Sequence, residues 1–198
     1  EPTMMEGHGR MWTPKFNEGF KARYGYDIED ALLNYAGEKR SRALCDYREC
    51  LGELLRENFY KPWIGWAHSH GSLVRNQSHG SPANILDLYA LVDIPETETF
   101  GRSDFNIPGL RRDPVTRHND GDPSALKFAS SAAHLTGKKY VSCEILTWLT
   151  EHFRTSLSQC KPELDRAFCA GVNHIVFHGA AYTPYGTEFP GWHFYASV

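Results

Sequence analysis

The segment Lys139-Tyr140-Val141-Ser142-Cys143-Glu144 is a short apolar run that ends in a carboxylate, and it predicts a β-strand. A helix rich in small residues is predicted before it, over 125–136, and two helices after it, over 147–157 and 161–170. The segment His174-Ile175-Val176-Phe177-His178-Gly179 then predicts a β-branched strand that ends in histidine and glycine. Short apolar strands that alternate with helices favour the α/β class, a parallel sheet covered by helices.

The same alternation extends toward the N-terminus. Residues 72–80 predict a short strand, 85–89 a turn or two of helix, and 91–95 a second apolar strand. Residues 101–122 have little periodicity and are rich in Asp, Arg, Gly and Pro, so they predict a long loop. Long loops in compact domains often bind ligands or act as lids.

Three helices are predicted between residues 13 and 70. Thr13-Pro14 supplies an N-cap and a first-turn proline for a helix that runs to Tyr24, and a second helix begins near residues 27–29. A long helix is predicted over 40–70, because apolar residues recur there every three or four positions. Pro62 should kink it.

The composition describes a folded chain with nearly balanced charge. Of its 198 residues, 41% are hydrophobic and 23% are charged, which excludes a disordered tail or a collagen-like repeat. The 21 basic and 24 acidic residues leave a formal net charge of −3, so no general attraction to nucleic acid or an anionic membrane is expected. No apolar run approaches the roughly 20 residues of a membrane helix, and residues 1–10 lack a signal-peptide pattern.

Cysteines and aromatic residues narrow the class of site. The five cysteines form an odd set without a C-x-x-C pair, which argues against a zinc site and against a complete disulfide framework. Aromatic residues reach 13%, which suits a cleft that stacks on flat or weakly polar ligands such as sugar rings.

Polar side chains follow the four predicted strands. His79 lies at the end of the first strand, Glu96 and Glu98 after the second, Glu144 at the end of the third and His178 at the end of the fourth. Because the carboxyl ends of parallel strands meet at one edge, these residues are expected to share a site.

Paired carboxylates suit general acid/base chemistry. In glycoside hydrolysis one carboxyl protonates the leaving oxygen, and the other activates water or attacks the sugar carbon. Glu6, Glu96, Glu98 and Glu144 are the candidates.

Several motifs occur in order along the chain: Asp46-Tyr47-Arg48-Glu49, Glu57-Asn58-Phe59-Tyr60-Lys61-Pro62-Trp63, Gln77-Ser78-His79-Gly80-Ser81-Pro82, Asp93-Ile94-Pro95-Glu96-Thr97-Glu98, Ser130-Ser131-Ala132-Ala133-His134 and Pro190-Gly191-Trp192. In these motifs the chain resembles the α-L-rhamnosidases of glycoside hydrolase family 106. The segment Asn173-His174-Ile175-Val176-Phe177-His178-Gly179-Ala180-Ala181-Tyr182 is similar to the last barrel strand of that family. The resemblance covers nearly the whole chain.

The resemblance implies a (β/α)₈ TIM barrel that hydrolyses terminal α-L-rhamnosyl residues of plant polysaccharides or glycosides, with inversion and with calcium. By position, Glu6 resembles the carboxylate after the fourth barrel strand and is the expected general acid. Glu144 resembles the carboxylate after the seventh strand and is the expected base that activates water. Glu96 or Glu98 could instead hold that role or bind calcium, and Glu98 is our candidate metal ligand.

The remaining expected site residues bind substrate. They are His79, Glu96, Glu98, His178 and Trp192, and the two histidines are expected to hydrogen-bond sugar hydroxyls. One departure from the family pattern bears on the acid: the usual context is similar to Asp-Ser-x-Glu, whereas Thr3-Met4-Met5-Glu6 stands here.

Two alternatives remain open at the level of sequence. The chain could be a carbohydrate-binding barrel remnant without turnover, or a retaining glycosidase with Glu144 as nucleophile. Carboxyl separation discriminates between mechanisms, because an inverting pair is about 6.5–9.5 Å apart and a retaining pair about 5–5.5 Å.

Length sets a further expectation. A closed barrel typically needs about 250 residues, and the resemblance begins at the end of barrel strand four and continues through strand eight. Residues 1–198 are therefore expected to be the C-terminal half of the barrel, a fragment whose missing half comes from the same longer chain or another subunit. From the substrate class alone, the protein is expected to be secreted or periplasmic.

Overall fold

A computed structural model describes residues 11–100, 105–110, 124–147 and 155–179. The helices are α1 (Phe16–Tyr24), α2 (Ile28–Asn34), α3 (Gly37–Leu55), α4 (Lys61–Ser69), α5 (Ile85–Leu91), α6 (Ser124–Leu135) and α7 (Leu157–Cys169). A π-helical turn (Arg56–Tyr60) joins α3 to α4. The strands are β1 (Arg75–Gln77), β2 (Ile94–Glu98), β3 (Ser142–Ile145) and β4 (His174–Phe177).

The four strands form one parallel sheet in the order β1-β2-β3-β4. Strands that are consecutive in the sequence are therefore neighbours in the sheet, and α5, α6 and α7 each connect one strand to the next. The predicted α/β class, with helices between short parallel strands, is confirmed. Among the described residues, no helix is both long and apolar enough to cross a membrane.

The second strand lies further along the chain than predicted. The expected strand at 91–95 is wrong in position, because Leu91 is the last residue of α5 and β2 runs from Ile94 to Glu98. Pro95 explains the error: proline lacks the N–H that a central strand donates, so it reads as the end of a strand. Glu96 and Glu98 therefore lie within the strand rather than after it.

One helix boundary near the C-terminus is also corrected. The predicted helix over 147–157 should include Thr155 and Ser156, but neither residue is helical, and Ser156 is extended and is the N-cap of α7. Residues 148–154 of that prediction lie outside the described residues. Its side chain and that of Gln159 form a capping box, which satisfies backbone N–H groups at the start of the helix. The helix predicted over 161–170 is confirmed, with a start four residues earlier.

The predicted long helix contains a π-helical turn just before Pro62, the residue where a kink was predicted. α3, the π-helical turn and α4 follow without a break in helical backbone, and the Lys61 N–H donates to the Arg56 carbonyl five residues back. Proline cannot donate to the carbonyl four residues before it, and the wider turn accommodates that loss. The turn also buries Tyr60, whose hydroxyl accepts a hydrogen bond from Asn76 of β1 at 2.8 Å.

The two faces of the sheet differ in chemistry. Thr97 and Cys143 are register partners on the face covered by helices, where the Thr97 hydroxyl donates to the Ala125 carbonyl of α6. On the opposite face, Glu96 is the register partner of both Gln77 and Ser142. The apolar core lies on the first face and includes Leu126, Ala129, Ala132, Val141, Cys143, Ile145 and Ala167. The second face holds the polar residues that were predicted to share a site.

All five cysteines are described, and none forms a disulfide. Cys50, Cys143 and Cys160 are buried, whereas Cys45 and Cys169 are exposed. Burial raises the pKa of the Cys50 and Cys160 thiols, so these two behave as small apolar side chains.

Candidate active site

Three predicted residues meet at the carboxyl ends of the strands. Glu98 and Glu144 are register partners on neighbouring strands, and His178 follows β4 by one residue. One oxygen of each carboxylate and one ring nitrogen of His178 all lie within 4.8 Å of one another. We call Glu98, Glu144 and His178 the carboxylate cluster.

Glu144 is held at both of its oxygens. The amide Nε2 of Gln77 donates to Oε2 at 2.8 Å, and Nδ1 of His178 lies 3.1 Å from Oε1. A carboxylate only accepts hydrogen bonds, so His178 donates through Nδ1. The Glu144 side chain is 30% exposed, which leaves it open to solvent at the edge of the sheet.

Glu98 is more buried and is held by two other residues. Its side chain is 10% exposed, and the Thr147 hydroxyl donates to Oε1 at 2.7 Å. His79 Nε2 lies 3.5 Å from the other oxygen, Oε2, and the ring of Phe100 packs edge-on against the imidazole. His79 therefore stands next to the cluster, as predicted from the end of its strand.

Glu96 lies two residues deeper in the sheet than Glu98. The whole residue is 6% exposed, and it accepts a short hydrogen bond from the Ser142 hydroxyl. Arg75 Nε lies 3.2 Å from Oε2, and Gln77 Nε2 lies 3.3 Å from Oε1. The structure thus places Glu96 beneath the exposed edge, with donors at both oxygens.

The backbone after β3 has an unusual conformation. Leu146 has a φ of 68°, in the left-handed region that non-glycine residues rarely adopt. Its N–H donates to the Thr99 hydroxyl at 3.2 Å, and the residue is buried. Such a conformation costs on the order of 1–3 kcal/mol and is often found at functional sites. Here it immediately precedes Thr147, which holds Glu98.

Sequence reasoning missed two residues that hold the cluster, and two predicted residues cannot be placed. Gln77 and Thr147 were not predicted as site residues. The signal for Gln77 was its position two residues before His79, since side chains two apart in a strand point to the same face. Glu6 and Trp192, the predicted acid and a predicted substrate-binding residue, lie outside the described residues.

The side chains of the carboxylate cluster supply some, but not all, of the ligands that a hard cation such as calcium needs. The carboxylates of Glu98 and Glu144 are the oxygen ligands that calcium prefers, but its shell of 6–8 oxygens needs further donors. The imidazole of His178 suits zinc or other transition metals better than calcium, and its Nδ1 already donates to Glu144. The carboxylates, rather than the histidine, are therefore the candidate calcium ligands.

A separate groove lies between α3 and the segment after β1. It encloses about 820 Å³, and its lining includes Tyr47, Leu51 and Leu88 together with Arg48 and Arg56. Its lining shares no residue with the carboxylate cluster. The groove therefore does not take part in the contacts described above.

Comparisons with known proteins agree with the resemblance seen in the sequence. The family model described as alpha-L-rhamnosidase, glycoside hydrolase 106, matches residues 4–197. A putative beta-glucuronidase of Formosa agariphila is 26% identical over 185 residues, which cover 88% of this chain and 14% of that protein. The solved structure of a rhamnosidase from Novosphingobium sp. PP1Y matches with a TM-score of 0.64 and 24% identity, over 88% of this chain and 17% of that one. The chain thus spans less than a fifth of the length of each of these two relatives.

Proposed function

This chain belongs to the alpha-L-rhamnosidase family, glycoside hydrolase 106, and from that premise we propose that it carries part of the active site of a glycosidase. The reaction is the inverting hydrolysis of terminal α-L-rhamnosyl residues from plant polysaccharides or glycosides. The observation that carries the proposal is the meeting of Glu98, Glu144 and His178 at the carboxyl ends of parallel strands, with Glu144 open to solvent. Active sites of (β/α)₈ enzymes occupy this edge.

The proposed fold of the complete domain is a (β/α)₈ TIM barrel, of which residues 1–198 form the C-terminal half. Two features of the sheet support it. The strand order follows the sequence, whereas doubly wound sheets reverse direction at a switch point. The polar face of Gln77, Glu96 and Ser142 also corresponds to the interior of a barrel. The other half then comes from the same longer chain or from another subunit.

In the proposed reaction Glu144 is the general base and Glu6 the general acid. Glu144 takes a proton from a water molecule, and the water oxygen forms a bond to the anomeric carbon. The bond from that carbon to the glycosidic oxygen breaks, and Glu6 gives its proton to that oxygen. Hydrogen bonds accepted at both oxygens of Glu144 suit the ionised form that a base requires.

The separation of Glu98 and Glu144 bears on the role of Glu98. One oxygen of each lies within 4.8 Å of the other, and Glu98 is the more buried of the two, whereas the carboxyl groups of an inverting pair stand about 6.5–9.5 Å apart with a water between them. Glu98 is therefore assigned to calcium and substrate rather than to the inverting pair. Bound calcium would hold sugar hydroxyls, and Glu98 is the described residue that would hold the ion, which leaves Glu144 free to act as the base.

Three of the other predicted residues bind the sugar in this proposal. His79 and His178 hydrogen-bond rhamnose hydroxyls and Trp192 binds substrate, whereas Glu96 supports the site from beneath. By its substrate class the enzyme is secreted or periplasmic.

A retaining glycosidase is the second candidate, because the same separation favours it. One oxygen of Glu98 lies within 4.8 Å of one oxygen of Glu144, and of the two mechanisms retention has the closer pair, about 5–5.5 Å between carboxyl groups, with Glu144 as nucleophile and Glu98 as acid. The two mechanisms differ in the product: inversion and retention give opposite anomers of rhamnose.

The test is release of rhamnose from an aryl α-L-rhamnoside by the full-length protein and its Glu144→Gln variant, with Glu57→Gln as an exposed control. An aryl β-glucuronide serves as the competing substrate. We expect rhamnose release by the wild type and the control, and release slower by about 10²–10⁴-fold by Glu144→Gln. Binding of rhamnoside without turnover by the wild type would make the chain a carbohydrate-binding barrel.

Two further measurements settle the mechanism and the metal. NMR of the anomer first released should show inversion, and retention would replace the leading mechanism by the second. Rhamnosidase activity should fall when a chelator is added and return when calcium is added back. Activity that a chelator does not change would remove calcium from the proposal.

A further inference from the structure

Gln77 links two carboxylates that belong to different strands. Its amide Nε2 donates to Glu144 on β3 at 2.8 Å and lies 3.3 Å from Oε1 of Glu96 on β2. Gln77 itself belongs to β1 and is 5% exposed, so its side chain reaches over β2 to meet Glu144. The NH₂ group has two hydrogens, one for each carboxylate.

Glu96 determines which end of the Gln77 amide faces Glu144. The Glu96 side chain is 8% exposed, and its carboxylate pairs with Arg75 at 3.2 Å and accepts from the Ser142 hydroxyl. A carboxylate only accepts hydrogen bonds, so the amide turns its NH₂ group rather than its carbonyl toward Glu96. The same NH₂ group is thereby presented to Glu144.

We infer that Gln77 is a positioning residue whose amide, oriented by buried Glu96, holds Glu144 in place for proton transfer. The inference rests on the proposed role of Glu144 as the base. His178 holds one oxygen of Glu144 and Gln77 the other, so the carboxylate is fixed in rotation about its last bond. Glu96, predicted to bind substrate, acts in this inference through Gln77.

The test uses Gln77→Met in the full-length protein, because methionine keeps the length of the side chain and removes the amide. Gln159→Met is the matched control: Gln159 is also buried, at 3% exposure, but it belongs to the capping box of α7. Loss of a hydrogen bond to a charged group should lower kcat for an aryl rhamnoside by about 10–100-fold, with KM changed less than about twofold. The control should leave kcat within about twofold.

A second arm separates positioning from a general structural effect. In the Glu144→Gln background, Gln77→Met should lower the residual rate by less than about twofold, because the residue acts through Glu144. An equal loss in both backgrounds would overturn the inference. If Gln77→Met does not fold, Glu96→Gln replaces it, with a smaller decrease in kcat expected.

A crystal structure of Gln77→Met tests the inference without any activity measurement. The Glu144 carboxylate should leave its wild-type position in Gln77→Met and keep it in Gln159→Met. A Glu144 that stays in place would overturn the inference even if rhamnosidase activity is established. A wild type without turnover would overturn the proposed function, and the crystal structure would still decide whether Gln77 positions Glu144.

Discussion

Glu144 and Ile145 are consecutive residues of β3, yet they face opposite sides of the sheet. Ile145 is fully buried in the apolar core with residues of α6 and α7. Glu144 is 30% exposed and has polar neighbours, Gln77 and His178. The alternation of side chains along a strand therefore places a residue that stabilises the fold beside a residue proposed to perform the chemistry.

The difference shows how the polar face is tolerated in a folded chain. A buried carboxylate without partners costs several kcal/mol, so each one needs donors. Glu96 has donors in Ser142, Arg75 and Gln77, and Glu98 has one in Thr147. The apolar face gains stability from burial, whereas the polar face is held together by hydrogen bonds among its own residues.

The largest expected effect is on the polar face. Glu144→Gln should lower kcat by about 10²–10⁴-fold, the usual contribution of general acid/base catalysis. Its free energy of unfolding should change by less than about 1 kcal/mol, since the side chain is partly exposed and its size is kept. Steady-state kinetics and urea denaturation measure the two quantities. A large loss of stability would show that Glu144 supports the fold, and the contrast between the faces would fail.

The neighbouring residue should behave in the opposite way. Ile145→Ala removes a fully buried side chain from the core and should lower the free energy of unfolding by about 2–5 kcal/mol. The kcat of the folded fraction should stay within about threefold of wild type, because the substituted side chain faces the helices. The same denaturation and kinetics apply, with Ile145→Val as the milder control. A large decrease in kcat for Ile145→Ala, with an unchanged free energy of unfolding, would contradict the division of the sheet into two faces.

Much of this arrangement was predictable from the sequence, because the pattern of apolar segments determines where the helices and strands form. The alternating helices and short strands predicted a parallel sheet, and polar residues at the strand ends predicted where Glu98, Glu144 and His178 meet. The contact from Gln77 to Glu144 was not predictable, because it joins β1 to β3 and depends on the shape of the sheet. The left-handed Leu146 was also missed, since a leucine gives no sign of a positive φ.

A smaller effect is expected in the helical layer, at Gly171 after α7. Gly171 has a φ of +98°, and an added Cβ would lie 3.0 Å from Cβ and 3.2 Å from Oγ of Ser130. The Ser130 hydroxyl donates to the Ala170 carbonyl at 2.6 Å, so Ser130 cannot move freely. Gly171→Ala should therefore lower the free energy of unfolding by about 1–3 kcal/mol, without changing kcat.

A second glycine provides the control for that substitution. Gly65 lies inside α4 and is exposed, and an added Cβ would meet nothing within 4 Å. Gly65→Ala should raise the free energy of unfolding by about 0.5–1 kcal/mol, because alanine favours the helix. Equal effects of the two substitutions in thermal denaturation would contradict the steric argument at Gly171.

The smallest effect concerns Asp93, a carboxylate at the opposite end of the sheet from Glu144. It accepts from the Val74 N–H and lies against Nε2 of His68, both at 2.8 Å, and so ties α4 to the sheet. Burial raises the pKa of the Asp93 carboxyl, but the hydrogen bonds from Val74 and His68 outweigh burial and hold that pKa below its ordinary value. Its charged form should therefore stabilise the fold without serving catalysis.

The pH dependence of Asp93→Asn tests this distinction between the two carboxylates. The pKa of Asp93 is lower in the folded chain than in the unfolded chain, so its contribution is complete above the unfolded value, near pH 4, and is lost as the pH falls through the folded value. Asp93→Asn should lower the free energy of unfolding by about 1 kcal/mol at neutral pH, because the pair of Asp93 and His68 is partly exposed. The difference in unfolding free energy between this variant and the wild type should shrink below about pH 4. Asp165 is an exposed carboxylate of α7, and Asp165→Asn is the control. Its difference in unfolding free energy from the wild type should depend less on pH. If the difference between wild type and Asp93→Asn stayed constant from neutral pH to well below pH 4, Asp93 would act through its shape rather than its charge.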